Sequence, residues 1–507
     1  MSALVQSILI AIIGLVVAIF VGAQLGGGSW LIPIVILSMG ILFAFYKIFL
    51  KAIRIEALIL GFLIFGYIVG NRGFAQLTLT HTSPVYLGEA GMLVCLAILA
   101  TRLALRREQL IPRTPLSWAI LAFLGIGAVR LCADLFMHIS PASTVVTLRD
   151  SAVVYYALFF FIAYKIGLDP IGRKLMEKCV LVGCIVLLPV FIIQFFAAPE
   201  LFNRITVRGY PLISQKGDLT TTYLAFASFY FFLQPANGVK RVFFRSLSIV
   251  FFVGMLMLMA RAALFGYACA VCLLLLARRP QFVIYQAVIG LIALVLIASL
   301  QLGHVKGESD VLSRLTDRVE SMVDVSASGK YRGSVGDYSA MNNEFRTVWW
   351  SSVFNETISK NPVFGLGFGY DLSASFVTSY YSNYYSNWDT RSPHSVWVTI
   401  FGRLGIVGWL SFAIVAWLIV REALRAARLV AKKSLPASAL GFWTGAIIIL
   451  GSASFGVVLE GPMGGILFWS FLGLASSQLH SDRETSPREE SDGSQTPIRR
   501  EPRLVHA

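Results

Sequence analysis

The chain has 507 residues, 57% of them hydrophobic and only 14% charged, with a formal net charge of +15 and a mean hydropathy of +0.74. A soluble globular chain of this length carries more charge and divides into several cores joined by polar linkers, so that class is excluded. The basic residues sit in short clusters between apolar runs, a pattern of orientation charge and not the stripe of a nucleic-acid binder.

Apolar runs of about 16–27 residues recur along most of the chain, and a membrane span needs about 20. With no water in the hydrocarbon, such runs must satisfy their own backbone hydrogen bonds as helices. No segment alternates polar and apolar residues as a membrane barrel requires. The expected fold is therefore all-α, a polytopic transmembrane bundle. In chain order the runs predict helices at about 4–23, 30–49, 55–70, 86–105, 116–137, 149–166, 176–197, 219–234, 243–260, 262–277, 281–302, 394–420, 438–459 and 462–479, fourteen in all. The first run has no basic residue before it and no small-x-small cleavage site, and reads as a retained helix rather than a signal peptide.

The loop charges test this count. Alternate loops hold Lys47, Lys51 and Arg54, then Arg102, Arg106, Arg107 and Arg113, then Lys165, Arg173, Lys174 and Lys178. The series continues with Lys240, Arg241 and Arg245, then Arg278 and Arg279, and ends with Arg421, Arg425, Arg428, Lys432 and Lys433. The positive-inside rule puts these loops and both termini in the cytoplasm. The alternation requires a break between 243–260 and 262–277, which leaves Arg261 at the outer surface. The chain then divides into helices over 1–302, one large outer loop over 303–393, helices over 394–479 and a polar tail over 480–507 expected to be disordered. Within the loop, Asn343 to Ile358 reads as an amphipathic helix, and residues 376–388 are dense in aromatic and hydroxyl groups that stack on sugars or lie at the lipid interface.

Residues able to carry chemistry gather on the outer side. Arg204 and Arg208 stand before the helix near Leu219, Arg261 lies between two apolar runs, and Arg346 lies in EFRTVWW. Arginines converging at the membrane surface suit a phosphate, which guanidinium binds bidentately; taken singly, each can equally snorkel to lipid headgroups. Arg149, at an outer helix end, is open to both readings. Arg130 and Asp134, one turn apart, read as an internal ion pair. Ser392 is the expected N-cap of the helix after the loop and Pro393 its first residue, placing His394 in the first turn. There the helix dipole keeps the imidazole neutral, fit either to accept a proton from a hydroxyl or simply to cap and pack. GLGFG (Gly365, Gly367, Gly369) lacks a preceding strand and a Walker lysine, so it reads as a tight turn that lets the backbone approach a ligand or another helix. All six cysteines fall in or beside apolar runs; Cys269 and Cys272 have CxxC spacing but read as packing thiols, because a zinc site needs further ligands nearby.

Together these residues resemble the O-antigen ligase and O-antigen polymerase superfamily of bacterial envelope glycan enzymes. The resemblance rests on Ala260-Arg261-Ala262-Ala263, on Arg346, Trp349 and Trp350 followed by NPVFGLGFG, and on PHSVWVTIFGRLGIVGW with His394, and is clearest from about 200 to 475. Ser395 stands where the family often has Asn, and Arg403 where it often has an acidic residue. The resemblance implies a glycosyltransferase of the bacterial inner membrane without a metal or other cofactor. Its partners would be an undecaprenyl-diphosphate-linked glycan as donor, a glycan or lipid acceptor and the membrane lipids, with no nucleic acid. It assigns the diphosphate to Arg208, Arg261 and Arg346, with Arg204, Arg149 and Arg403 as further candidates, and activation or positioning of the acceptor hydroxyl to His394. A polymerase with a second lipid-linked glycan as acceptor fits the same residues. A flippase or transporter places its carboxylates at the bilayer midplane, whereas Glu89 and Asp134 lie towards outer helix ends; a purely structural scaffold leaves the Arg and His placement unexplained.

Overall fold

The computed structural model describes residues 54–78, 85–106, 111–137, 142–198, 200–207, 209–258, 260–302, 334–380 and 390–485. The expected spans at 4–23 and 30–49, residues 303–333 of the loop, most of its aromatic stretch and the tail from 486 lie outside the described residues. The described chain is an all-α bundle whose named strands are two-residue pieces, β1 (Thr206–Val207) and β2 (Tyr210–Pro211), paired antiparallel. Among the described residues five helices are long and apolar enough to cross a membrane, or six if one bent pair is a single span, alongside shorter apolar helices. The chain is a multi-pass membrane protein.

The apolar runs form helices where expected, and short polar or Pro residues set their ends. The first half comprises α1 (Ile55–Gly70), a single turn α2 (Arg72–Ala75), α3 (Leu87–Arg106) and α4 (Pro115–Phe136). Thr114 accepts from the Ser117 amide at 3.1 Å and Pro115 takes the first position of α4, a fixed φ where no amide partner is needed. The span expected over 149–166 is broken into α5 (Thr144–Asp150), α6 (Ala152–Tyr155) and α7 (Leu158–Leu168), with a bend of 43° between its two parts. Next, α8 (Pro170–Ile192) starts earlier than its apolar run, because Asp169 caps it and Pro170 opens it.

The second half is α9 (Gly217–Leu233), α10 (Gly238–Leu258), α11 (Arg261–Leu276) and α12 (Pro280–Leu302), then α13 (Ser334–Lys360) and α14 (Ala374–Tyr380) from the loop, and α15 (Val396–Ala431), α16 (Leu440–Ala453) and α17 (Pro462–Thr485). The break before Arg261 is present, with Ala260 in extended conformation at the N-cap of α11. The last helix runs beyond 479 to Thr485, so the first tail residues are helical. Helices α7 and α17, α9 and α10, α1 and α8, α11 and α16, and α4 and α15 are the closest-packed pairs. Between α11 and α16, a Cβ on Gly451 would sit 2.6 Å from the Gly266 Cα; small residues let the two backbones touch where apolar burial alone cannot drive association.

The helix expected over 394–420 is two helices joined at Gly405, whose φ of 63° and ψ of −160° no other residue adopts readily. The break strands the carbonyls of Gly402 and Arg403 and the amides of Ile406 and Val407, which would otherwise pair with each other. NPVFGLGFG replaces those bonds one for one. Leu366 and Gly367 donate to the Gly402 and Arg403 carbonyls at 2.7 and 3.0 Å, and Ile406 and Val407 donate to Pro362 and Val363 at 2.9 and 3.3 Å. The glycine-rich turn thus approaches another helix, and the approach is tight: a Cβ on Gly365 would lie 2.6 Å from the Arg403 carbonyl carbon.

Candidate functional site

Helix α13 lies along α15 and carries the site's floor. Phe345, Trp349 and Val353 recur at four-residue spacing, with Trp349 and Val353 fully buried. Trp349 stacks on Phe376 of α14 with ring centroids 5.0 Å apart, and its Nε1 donates to the Leu372 carbonyl at 2.8 Å. Trp350 Nε1 donates to the Pro393 carbonyl at 2.6 Å, which fixes the segment leading into α15 against α13. Glu356 accepts from Lys360 at 2.8 Å, from Ser375 at 2.9 Å and from Tyr370, clamping α13 to the segment that follows it.

His394 does not lie in the first helical turn. Ser395 occupies the N-cap position and Val396 is the first helical residue, while His394 has a left-handed φ of 57°. That conformation turns the ring inward between Phe345 and Trp349, at centroid distances of 6.2 and 5.7 Å. Its backbone amide faces Ser392 Oγ at 3.4 Å, and its Nδ1 is buried with no hydrogen-bond partner among the described residues. The imidazole is neutral, as expected, but for a different reason. Burial comes first and the Arg346 charge second, and together they pull its pKa down to about 4.

Arg261 and Arg346 come together at this end of the bundle. Arg261 opens α11 and its Nη1 donates to Asn343 Oδ1 at 2.8 Å. The Arg346 pKa is lowered to about 10 by burial and then by Arg261, while Asp218 opposes the shift; the side chain stays cationic at neutral pH. Arg346 Nε is buried without a partner among the described residues. Asp218, at the start of α9, pairs with Lys216 at 3.2 Å, and both also act electrostatically on His394. The site therefore joins two guanidinium groups and a neutral imidazole from α11, α13 and the approach to α15.

Arg208 lies outside the described residues. Arg204 and Arg149 are exposed. Arg403 is buried and pairs with Asp150 at 2.9 Å, and its Nη1 donates to the carbonyls of Gly367, at 3.2 Å, and Tyr370. Asp150 also accepts from the Gly369 amide at 3.0 Å, and Asp134, itself paired with Arg130 at 3.0 Å, accepts from the Phe368 amide at 2.6 Å. The four amides from Leu366 to Gly369 are therefore all committed to protein acceptors. Cys269 is half-buried and Cys272 exposed on the bundle surface.

Sequence reasoning passed over Glu460, in the short turn between α16 and α17. Its Oε1 accepts from Thr399 Oγ1 of α15 at 2.7 Å, and Ser392 is a further hydrogen-bond partner. Burial raises its pKa to about 7 despite these bonds. A carboxylate in the otherwise apolar turn LEGPMGG was the available signal. Asn343 and Asp218 gave none, since polar residues near helix ends are common and only packing brings them to the arginines.

A membrane-embedded helix bundle with paired arginines and a neutral histidine gathered at one end is the class of protein this geometry defines. Residues 246–413 match the family model described as O-antigen ligase, a stretch of about a third of the chain that contains Arg261, Arg346, His394 and Gly405. The match supports a likeness to the O-antigen ligase and polymerase superfamily over that stretch. No curated protein matches the chain.

Proposed function

We propose that the chain transfers a glycan from an undecaprenyl-diphosphate-linked donor to an acceptor hydroxyl, at the outer face of the bacterial inner membrane. The observation that carries this reading is the adjacency of Arg261, Arg346 and a half-buried His394, whose Nδ1 has no hydrogen-bond partner among the described residues, at one end of the bundle. The basic loops cluster at the other helix ends, which supports a periplasmic site and cytoplasmic termini by the positive-inside rule.

The two guanidinium groups hold the diphosphate and balance the charge that develops as it departs, the work a divalent metal does in many phosphate enzymes. Arg208 is a further candidate for the diphosphate by the resemblance alone, since it lies outside the described residues. His394 takes the proton of the acceptor hydroxyl; the oxygen attacks the anomeric carbon, the bond from that carbon to the phosphate oxygen breaks, and undecaprenyl diphosphate leaves. A free-site imidazole with its pKa near 4 is a weak base. The arriving diphosphate offsets the Arg346 charge that suppresses it, so donor binding precedes acceptor activation. The left-handed backbone at His394, at a cost of about 1 kcal/mol, fits a residue held for a task.

The test is to introduce His394→Ala and Arg261→Ala separately in the native host, and to follow membrane abundance, lipid-linked precursor and surface glycan on gels. Loss of glycan attachment or chain length at normal abundance, with precursor accumulating, supports transfer. The gel pattern then separates a ligase from a polymerase, which share this step and differ in the acceptor. Normal glycan at normal abundance in both variants rejects the site.

A further inference from the structure

Away from the candidate site, a cavity of about 590 Å³ opens between the end of α9, the start of α10, the start of α12 and the turn before α16. Its place follows from the chain path. Helices α9 and α11 start at the candidate site and run to this end, and α10 starts here and runs back. The two sites are thus about one helix length apart, roughly 25–30 Å at 1.5 Å per residue.

Four cations line the cavity, Lys240, Arg241, Arg245 and Arg279, with no Asp or Glu among its described lining residues. Solvated surface lysines alone would not make a site, but this group is partly built in. Arg245 is half-buried, its guanidinium carbon 5.3 Å from the Phe232 ring and 6.0 Å from the Tyr285 ring, and Lys240 Nζ lies 5.5 Å over the Phe244 ring. Stacking on aromatic faces holds these cations in place without neutralising them.

The flanks decide what kind of anion fits. The first turns of α10 expose Val239 and Val242, at 87% and 66%. On α12, Ile284, Val288 and Ile292 form one exposed stripe at four-residue spacing that starts beside the cavity mouth. A polar cationic cavity continued by apolar helix faces matches an amphiphile, with an anionic head in the cavity and acyl chains along α10 and α12. A free phosphate has nothing to place on those faces.

We infer that this cavity is a binding site for an anionic phospholipid of the surrounding leaflet, separate from the site of glycan transfer and independent of that reading. Each basic side chain near a membrane surface contributes about 1 kcal/mol toward anionic lipid, so neutralising three weakens binding about a hundredfold.

The experiment uses the full chain purified in detergent and delipidated. Phosphatidylglycerol, phosphatidylcholine or inorganic phosphate is added, and retained lipid is read by native mass spectrometry alongside the thermal unfolding midpoint. Phosphatidylglycerol alone should be retained and raise the midpoint. The triple variant Lys240→Gln, Arg241→Gln, Arg279→Gln should need about a hundredfold more lipid for the same occupancy, and the charge-preserving triple Lys240→Arg, Arg241→Lys, Arg279→Lys should behave as wild type. If the glutamine triple does not fold, Arg279→Gln alone decides the matter, with an expected loss of about fivefold. Equal retention of phosphatidylcholine, equal stabilisation by inorganic phosphate, or unchanged retention in the glutamine variants each overturns the inference.

Discussion

Arg261 and Asn343 meet through a 2.8 Å hydrogen bond that joins the first residue of α11 to the loop helix α13. The bond ties one guanidinium of the site to the helix that carries Arg346. Removing a hydrogen bond to a charged group costs roughly 1.5–3 kcal/mol. Asn343→Ala is therefore expected to lower kcat/KM about 10- to 100-fold, with membrane abundance unchanged, in an assay of lipid-linked donor consumption.

The pH dependence of His394 has a definite sign. The free imidazole protonates near 6.5, whereas the folded site resists the proton until about 4. The unfolded chain thus binds a proton that the native state refuses, and stability falls as pH drops through that window. kcat/KM, which reports the free enzyme, stays level above about 5 and is lost on further acidification, and the acid limb of kcat lies at higher pH because the bound diphosphate offsets the Arg346 charge. Arg346→Gln removes the suppressing charge, so the acid limb should move to higher pH while donor affinity falls. An acid limb that stays in place would show that Arg346 does not act on the histidine.

Glu460 is expected to show the opposite trend. Its pKa is raised from 4.5 to about 7, so between those values the folded protein holds a proton that the unfolded chain has released. Stability therefore falls as pH rises through the same window. Glu460→Gln keeps the hydrogen-bond partners for Thr399 and Ser392 and should flatten that slope, which thermal unfolding at a series of pH values will show.

The clasp around Gly405 is expected to be structural. A Cβ at this position would collide with the Val363 carbonyl and lie 2.5 Å from the Gly365 amide nitrogen. Gly405→Ala should cost about 3 kcal/mol or more and deplete the protein from membranes. Asp150→Asn leaves Arg403 buried without its charge partner, a loss of roughly 3–5 kcal/mol for a buried pair, and should also act on abundance. A variant that keeps full abundance but loses activity would move Arg403 from the scaffold into the site.

Much of this molecule was legible without coordinates, because hydrocarbon imposes a strong rule: a run of apolar residues must fold as a helix, and alternating basic loops must face one side. The helices from 55 onward, the break at Arg261 and the loop helix around Trp349 follow from that rule and from local spacing. The expected Arg130–Asp134 pair is local as well, one turn apart on one helix. Tertiary structure alone decided where long-range polar partners go. The break at Gly405 is stable only because NPVFGLGFG, some forty residues earlier, supplies the missing hydrogen bonds. Arg403 serves that clasp because Asp150 is brought beside it, and His394 stands outside the helix with its ring packed against Phe345 and Trp349. Apolar periodicity says which side of a helix is buried, but it carries no record of which distant donor will meet which acceptor.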